Sequence, residues 1–209
     1  MTTPEDDVSG LSEAEAASEL ERLAAFTDGV VAVIITIMVL ELKPPHGVDL
    51  AALRSLLPTF LAYVLSFVYV AIYWNNHHHF FNLVKQVDGA ILWANIQLLF
   101  WISLVPFTTA WMGENPTAPI PVAVYGVSVL MPTLGWMVMQ TAIVRRQGPD
   151  SALKAVLGKD IKGKLSPTLC LLGIFAAFFN PWIADACYAS VSLMWLIPDR
   201  RIERLVVKD

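Results

Sequence analysis

The sequence predicts an all-α membrane protein with six transmembrane helices. Of its 209 residues, 56% are hydrophobic and only 15% are charged, and the mean hydropathy is +0.58. Soluble domains are about 45–50% apolar and about 25% charged, so a water-soluble core of this size could not bury so much apolar surface. Long apolar segments between short polar loops are the second observation, because a helix needs about 20 apolar residues to cross the bilayer hydrocarbon.

Four apolar segments are each long enough for one crossing. The first covers residues 23–42 and stops before Pro44 and Pro45, which cannot continue a helix. The next three cover residues 51–74, 90–112 and 119–144. The stretch 165–197 would form a helix of about 50 Å, which is too long for one crossing. Since Asn180-Pro181 near its middle is typical of a turn, we expect two short helices there and six passes in all.

The basic residues orient these passes. With six passes, the two termini and the loops after the second and fourth segments share one side, which holds every lysine and arginine except Lys43 and Arg54. The positive-inside rule therefore places both termini in the cytoplasm. Ser12 begins a capping-box spacing, so we expect a helix to start there and continue into the first pass. The predicted organisation is an acidic cytoplasmic segment (1–21), a six-helix membrane domain (22–198) and a basic cytoplasmic tail (199–209).

Arg22 and Asp28 stand at the start of the first apolar segment, where an unpaired charge is costly. Six residues apart on a helix, they point in directions about 120° apart and cannot pair well with each other. Two interpretations follow. Either both lie among lipid headgroups, or Asp28, about 9 Å deeper than Arg22, faces the bundle interior and has a partner on another helix.

Possible partners for Asp28 occur at the end of the second segment, in the run WNNHHH at residues 74–79. Indole, carboxamide and imidazole groups can all donate hydrogen bonds to a carboxylate. A metal site is one alternative and solvated loop histidines are another. A metal needs three or four convergent ligands, whereas adjacent histidines on a helix point about 100° apart. We therefore favour a polar network and expect no metal.

Two further sets of residues, one polar and one mostly apolar, bear on how the helices pack and on what the protein does. Asn95, Gln97, Ser103, Thr108 and Thr109 favour interhelical hydrogen bonds that hold the third segment against the first. On the first segment, Val33, Thr36, Ile37 and Leu40 follow helical spacing. From the residues alone, the favoured interpretation is that this face packs against neighbouring helices. The alternative is that it forms a hydrophobic constriction, which gates a pore by dewetting. No T-V-G-Y-G filter occurs, and no nucleophile–base pair or metal set predicts an enzyme.

Together these residues resemble the signature of the transmembrane protein 175 family, the lysosomal potassium channel of animals and its bacterial relatives. The family's R-x-x-x-F-S-D motif is similar to Arg22-x-x-x-Phe26-Thr27-Asp28-Gly29. The resemblance continues in Tyr73-Trp74-x-x-His77-His78 and in residues 95–109. A single copy of the signature is typical of a bacterial member.

The resemblance implies a potassium-permeable cation channel of the bacterial plasma membrane, built as a homotetramer whose first helices line a central pore. It implies an apolar constriction at Val33, a hydroxyl layer at Thr36 and a second apolar ring at Leu40, with Ile37 on the same face. Potassium would pass near Val33 and Thr36 as the permeating ion, not as a cofactor. The expected partners are further copies of the chain, the bilayer and monovalent cations, with no nucleic acid.

The resemblance also implies a structural role for the signature residues. Arg22, Phe26 and Asp28 would lock the first helix to its neighbours, and their partners would be Trp74, His77 and His78. The alternative function is a proton-coupled secondary transporter in which Asp28 and His77–His79 form a relay. The sequence lacks the internal repeats and paired broken helices that such transporters use.

Overall fold

The computed structural model describes residues 4–148 and 161–196, with side chains from Ala14 onward. The regular secondary structure in these ranges is α-helical throughout, which confirms the predicted class. Eight helices occur there: α1 (Pro4–Leu40), α2 (Leu50–Ser55), α3 (Leu57–Phe81), α4 (Gly89–Ser103), α5 (Val105–Glu114), α6 (Pro119–Gln147), α7 (Ile161–Ala176) and α8 (Pro181–Leu196). The tail 199–209 lies outside the described residues.

Four stretches of the described chain are long and apolar enough to cross a membrane: α1 from Ala14, α3, α4 together with α5, and α6. The chain is therefore an integral membrane protein. The break near Asn180 is confirmed, because α7 ends at Ala176 and the Asn180 backbone N–H donates to its carbonyl. The helix of the third pass is interrupted at Leu104, since Pro106 has no N–H to continue the helical hydrogen bonds.

The start predicted for the first helix is wrong. The backbone is helical from Pro4 and not from Ser12, and it continues without interruption to Leu40. The capping-box spacing at Ser12 therefore lies inside the helix. The expectation that this helix runs directly into the first pass is confirmed.

Helix α6 lies at the centre of the bundle and packs against α4, α5, α7 and α8. The approach of α7 and α8 depends on two glycines. Tyr188 of α8 is almost fully buried in a notch formed by Gly126 of α6 and Gly173 of α7. A Cβ on either glycine would overlap the Tyr188 side chain, so these helices can approach this closely only with glycine at both positions.

Helix α1 lies at the edge of the bundle. It contacts α3, α4 and α5 through one face, and the opposite face is exposed. The buried residues recur every three or four positions, as one helical face requires. They are Leu23, Thr27, Val31, Ile34 and Met38.

The close packing of Tyr188 against Gly126 and Gly173 predicts that a larger residue at either glycine lowers the stability of the protein. Gly126→Ala should lower the stability of the protein by about 1–3 kcal/mol, because overpacking forces Tyr188 out of its position. The measurement is the apparent melting temperature of the purified protein in detergent. Gly89→Ala is the matched control, since a Cβ at Gly89 meets no atom within 4 Å in the described chain. Equal melting temperatures for Gly126→Ala and the control would contradict the packing argument.

Candidate functional site

The first candidate feature is the exposed face of α1. Val33, Ile37 and Leu40 have exposed fractions of 55%, 44% and 77%, and Thr36 between them is also exposed. Within the described part of the chain, no other helix covers these four side chains. A continuous uncovered stripe of this kind fits either lipid or further copies of the same helix.

Thr36 supplies the polar atom of this face. Its hydroxyl donates to the Val33 carbonyl oxygen at 2.8 Å, as is common for threonine within a helix. The hydroxyl hydrogen is thus directed back along the helix. The lone pairs of Oγ1 remain on the exposed face, where they could contact a cation, because hard cations prefer oxygen ligands.

The second feature is a buried hydrogen-bonded network behind that face. Asn95 of α4 is fully buried, and its Nδ2 donates to Thr27 Oγ1 of α1 at 2.9 Å. The Thr27 hydroxyl in turn donates to the Leu23 carbonyl oxygen at 3.0 Å. This confirms that Asn95 holds the third pass against the first, as the sequence predicted.

His77 of α3 joins the same network. Its Nε2 lies 3.0 Å from Asn95 Oδ1, so the imidazole donates and the amide oxygen accepts. The ring is buried and stacks on Phe81, with ring centroids 4.0 Å apart. His77 therefore lies within a helix and inside the bundle, and it is not a solvated loop residue. One amide side chain, Asn95, connects three helices.

Asp28 has a different partner. The Trp74 indole N–H donates to Asp28 Oδ1 at 2.9 Å, at an exposed position on the surface of the single chain. Trp74 also stacks with His78. The structure thus brings Trp74 to Asp28 and directs His77 to Asn95.

Other predicted site residues lie apart from this network. Arg22 and Phe26 are exposed on α1, and a Cβ on Gly29 would meet nothing within 4 Å in the described chain. Across residues 4–148 and 161–196, no group of three or more histidine, cysteine or acidic side chains could hold a metal ion.

Thr108 and Thr109 do not hold the third pass against the first, and that expectation is wrong. Thr109 donates to Ser66 of α3, and Thr108 bonds to Ser128 of α6. These hydroxyls belong to a polar seam between α3, α5 and α6 that sequence reasoning missed. Ser66, Tyr69 and Tyr73 recur at spacings of three and four along α3, and that periodicity of hydroxyl groups was the available signal.

The fold and these two features define a polytopic helical membrane protein in which a buried polar network holds an edge helix whose opposite face is uncovered. Residues 22–106 match the family described as endosomal/lysosomal potassium channel TMEM175. A potassium channel of Chryseobacterium sp. strain P1-3 is 51% identical, and the match covers 88% of this chain and 95% of that protein. The chain belongs to the TMEM175 family, which confirms the resemblance seen in the sequence.

Two more distant relatives extend the comparison. A crystal structure of a lysosomal potassium-selective channel TMEM175 homolog from Chamaesiphon minutus superposes with a TM-score of 0.77 at 28% identity. That match covers 86% of this chain and 97% of the other. The human endosomal/lysosomal proton channel TMEM175 is 24% identical, over 87% of this chain and 39% of that protein.

Removing the central amide should destabilise the bundle. Asn95→Leu leaves the His77 and Thr27 side chains without their partner, and we expect a loss of about 1–3 kcal/mol. Thr27→Val should cost about 1 kcal/mol, because it removes only one of these bonds. The measurement is resistance to unfolding by a denaturing detergent. Thr27→Ser is the control, since it keeps the hydroxyl, and a loss as large as that of Thr27→Val would contradict this account.

Proposed function

We propose that this protein is a potassium-permeable cation channel without a carbonyl selectivity filter. In this proposal, four copies assemble around a central pore, and the exposed face of α1 from each copy lines it. The observation that carries the proposal is the uncovered stripe of Val33, Thr36, Ile37 and Leu40 on α1. The opposite face of α1 is held to the bundle by the hydrogen bond between Thr27 and Asn95. A 51% identical relative named a potassium channel, matched over nearly its whole length, supports it.

The proposed topology has six passes. The described parts of α7 and α8 have 16 residues each, about 24 Å of helix, which suffices for a thin or locally compressed hydrocarbon layer. Contacts between helix ends support the alternating direction of the first three passes. Asp28 meets Trp74 at one end, and Lys43 pairs with Glu114 at the other. An even number of passes and the basic loops put both termini in the cytoplasm of a bacterial cell.

The proposed pore acts through partial dehydration. A ring of Val33 side chains offers no ligands, so an ion passing it must shed part of its water or find the ring wide enough to keep it. Valine is smaller than leucine, so four copies leave a relatively wide ring. The four Thr36 oxygens lie one turn beyond and replace part of the lost hydration. Such a pore favours potassium modestly, because potassium loses its water more easily than sodium.

The proposed role of the signature residues is to hold the pore helix in position. The Asn95 amide fixes the rotation of α1 through Thr27, and Trp74 holds the Asp28 carboxylate at the side of the helix. A transporter relay would instead require Asp28 and His77 to exchange protons. These two side chains make their hydrogen bonds to different partners, which favours the structural role.

Flux measurements test the channel proposal. Purified protein in liposomes with a potassium gradient and no proton gradient should release potassium at a rate that does not saturate. Val33→Trp should reduce this flux at least about tenfold by filling the ring, and Val138→Trp on the exposed surface of α6 is the matched control. Flux that requires a proton gradient would favour the transporter. No flux from confirmed tetramers would contradict the proposal.

The selectivity argument has its own test. Thr36→Val keeps the shape of the side chain but removes the oxygen, so potassium-over-sodium preference should fall about two- to fivefold while current persists. The measurement is the reversal potential under mixed potassium and sodium gradients. Thr141→Val, an exposed threonine on α6, is the control. An unchanged reversal potential for Thr36→Val would show that Thr36 does not contact the ion.

A further inference from the structure

A cavity lies among α3, α6, α7 and α8, away from the exposed face of α1. Its volume is about 40 Å³, and residues from all four helices line it. A water needs about 10–15 Å³ of such space, so the cavity has room for about three waters or for one polar group of similar size. One chain supplies these four helices, so no second copy is needed to form the cavity.

Three polar side chains of the lining have no hydrogen-bond partner in the part of the chain that the structure describes. They are Ser192 of α8, Asn76 of α3 and Gln140 of α6. Ser192 is only 4% exposed, and what remains accessible of its side chain lines the cavity. A buried polar group without a partner is costly. These three side chains therefore favour an occupant that forms hydrogen bonds.

The tyrosine and threonine hydroxyls of the lining are already paired. Tyr73 Oη and Thr133 Oγ1 lie 3.0 Å apart, and the Tyr69 hydroxyl donates to the Val129 carbonyl oxygen. These bonds join α3 to α6 and fix the wall between them. The capacity to bind a further polar group therefore lies with the serine and the two carboxamides.

The charge of the lining restricts the kind of occupant. None of the described residues that line the cavity carries a charge. Lys162 lies outside the lining, where its Nζ is 5.9 Å from the centroid of the Trp195 ring. An ionised group in the cavity would lose its water without an opposite charge among the lining residues, which is unfavourable. An uncharged polar group avoids this cost.

The cavity reaches the surface of the bundle at membrane depth. Met137 of α6 lines the cavity and is also 40% exposed. It lies well inside the apolar span of α6, which continues to Gln147, about 15 Å further along the helix. A molecule that enters beside Met137 therefore comes from the hydrocarbon of the bilayer. Such a molecule needs an apolar part in addition to its polar group.

We propose that this cavity binds the head of a neutral amphiphile, which is an uncharged hydroxyl or amide group attached to an apolar chain. Ser192, Asn76 and Gln140 form hydrogen bonds with the head, and the chain leaves the cavity beside Met137. This site is independent of ion conduction, because it belongs to a single chain and lies away from the α1 stripe. A protein that binds no amphiphile would leave the channel proposal unchanged.

Photolabelling of the protein in lipid nanodiscs tests this binding. The probe is 1-octanol with a diazirine group on its chain, and mass spectrometry locates the labelled residues. Label should concentrate on lining residues such as Met137, and an excess of plain 1-octanol should reduce it about fivefold or more. Octane lacks the hydroxyl and octanoate is charged, so neither should compete as well at the same concentration in the membrane.

Two variants and one control connect the label to the unpaired side chains. Ser192→Leu fills the cavity and should remove most of the label that 1-octanol competes for. Gln140→Leu changes a half-buried position, so it tests the same point if Ser192→Leu does not fold. It should reduce the preference for 1-octanol over octane about twofold or more. Ser190→Leu is the matched control and should change nothing, because Ser190 is exposed on α8 and its hydroxyl already donates to the Ala186 carbonyl oxygen.

Several results would overturn the proposal. An even spread of label over the exposed residues would show that the probe is only dissolved in the lipid. Folded protein without any label that 1-octanol competes for would show that the cavity holds water alone. Octane that competes as well as 1-octanol would exclude a role for hydrogen bonds, and stronger competition by octanoate would indicate an anionic lipid. Unchanged competition in both variants would place the probe at another site.

Discussion

The arrangement of the candidate pore helix depends on one buried amide. Asn95 donates to Thr27 and accepts from His77, so its two polar atoms tie three helices at the same depth. A polar group without a partner in hydrocarbon costs several kcal/mol, whereas a satisfied one costs little. Rotating α1 about its axis would break the Thr27 bond and leave the amide unsatisfied. The network therefore selects which face of α1 turns away from the bundle.

That constraint divides α1 into two faces with different chemistry. The buried face combines apolar packing with the Thr27 hydroxyl, and the exposed face is almost entirely hydrocarbon from Val33 to Leu40. Asp28 lies at the side, where the Trp74 indole holds its carboxylate. A membrane helix can expose such a face to lipid or to copies of itself, since neither choice leaves a polar group unsatisfied. The apolar exposed face of α1 is therefore compatible both with folding in the bilayer and with the proposed assembly of four copies.

Much of the fold could be predicted from the sequence because proline and apolar length act locally. The break at Asn180 and the interruption at Leu104 each precede a proline, whose backbone lacks an N–H. Sequence reasoning failed where several local signals compete. Ser12 offers a good cap, but the described backbone is already helical at Pro4. The threonines at 108 and 109 are polar and interhelical as expected, yet they face α6 and α3 and do not face α1.

The sequence by itself determined the membrane class, the four long apolar passes, the family and the stripe of residues on α1. These follow from composition, spacing and motif, which do not depend on how helices pack. Only the tertiary structure decided the pairings: Asp28 with Trp74, and His77 with Asn95 instead of with the aspartate. The physical reason is that a hydrogen-bond partner on another helix depends on the rotation and depth of both helices. Those are set by packing over the whole bundle, and a linear motif does not encode them.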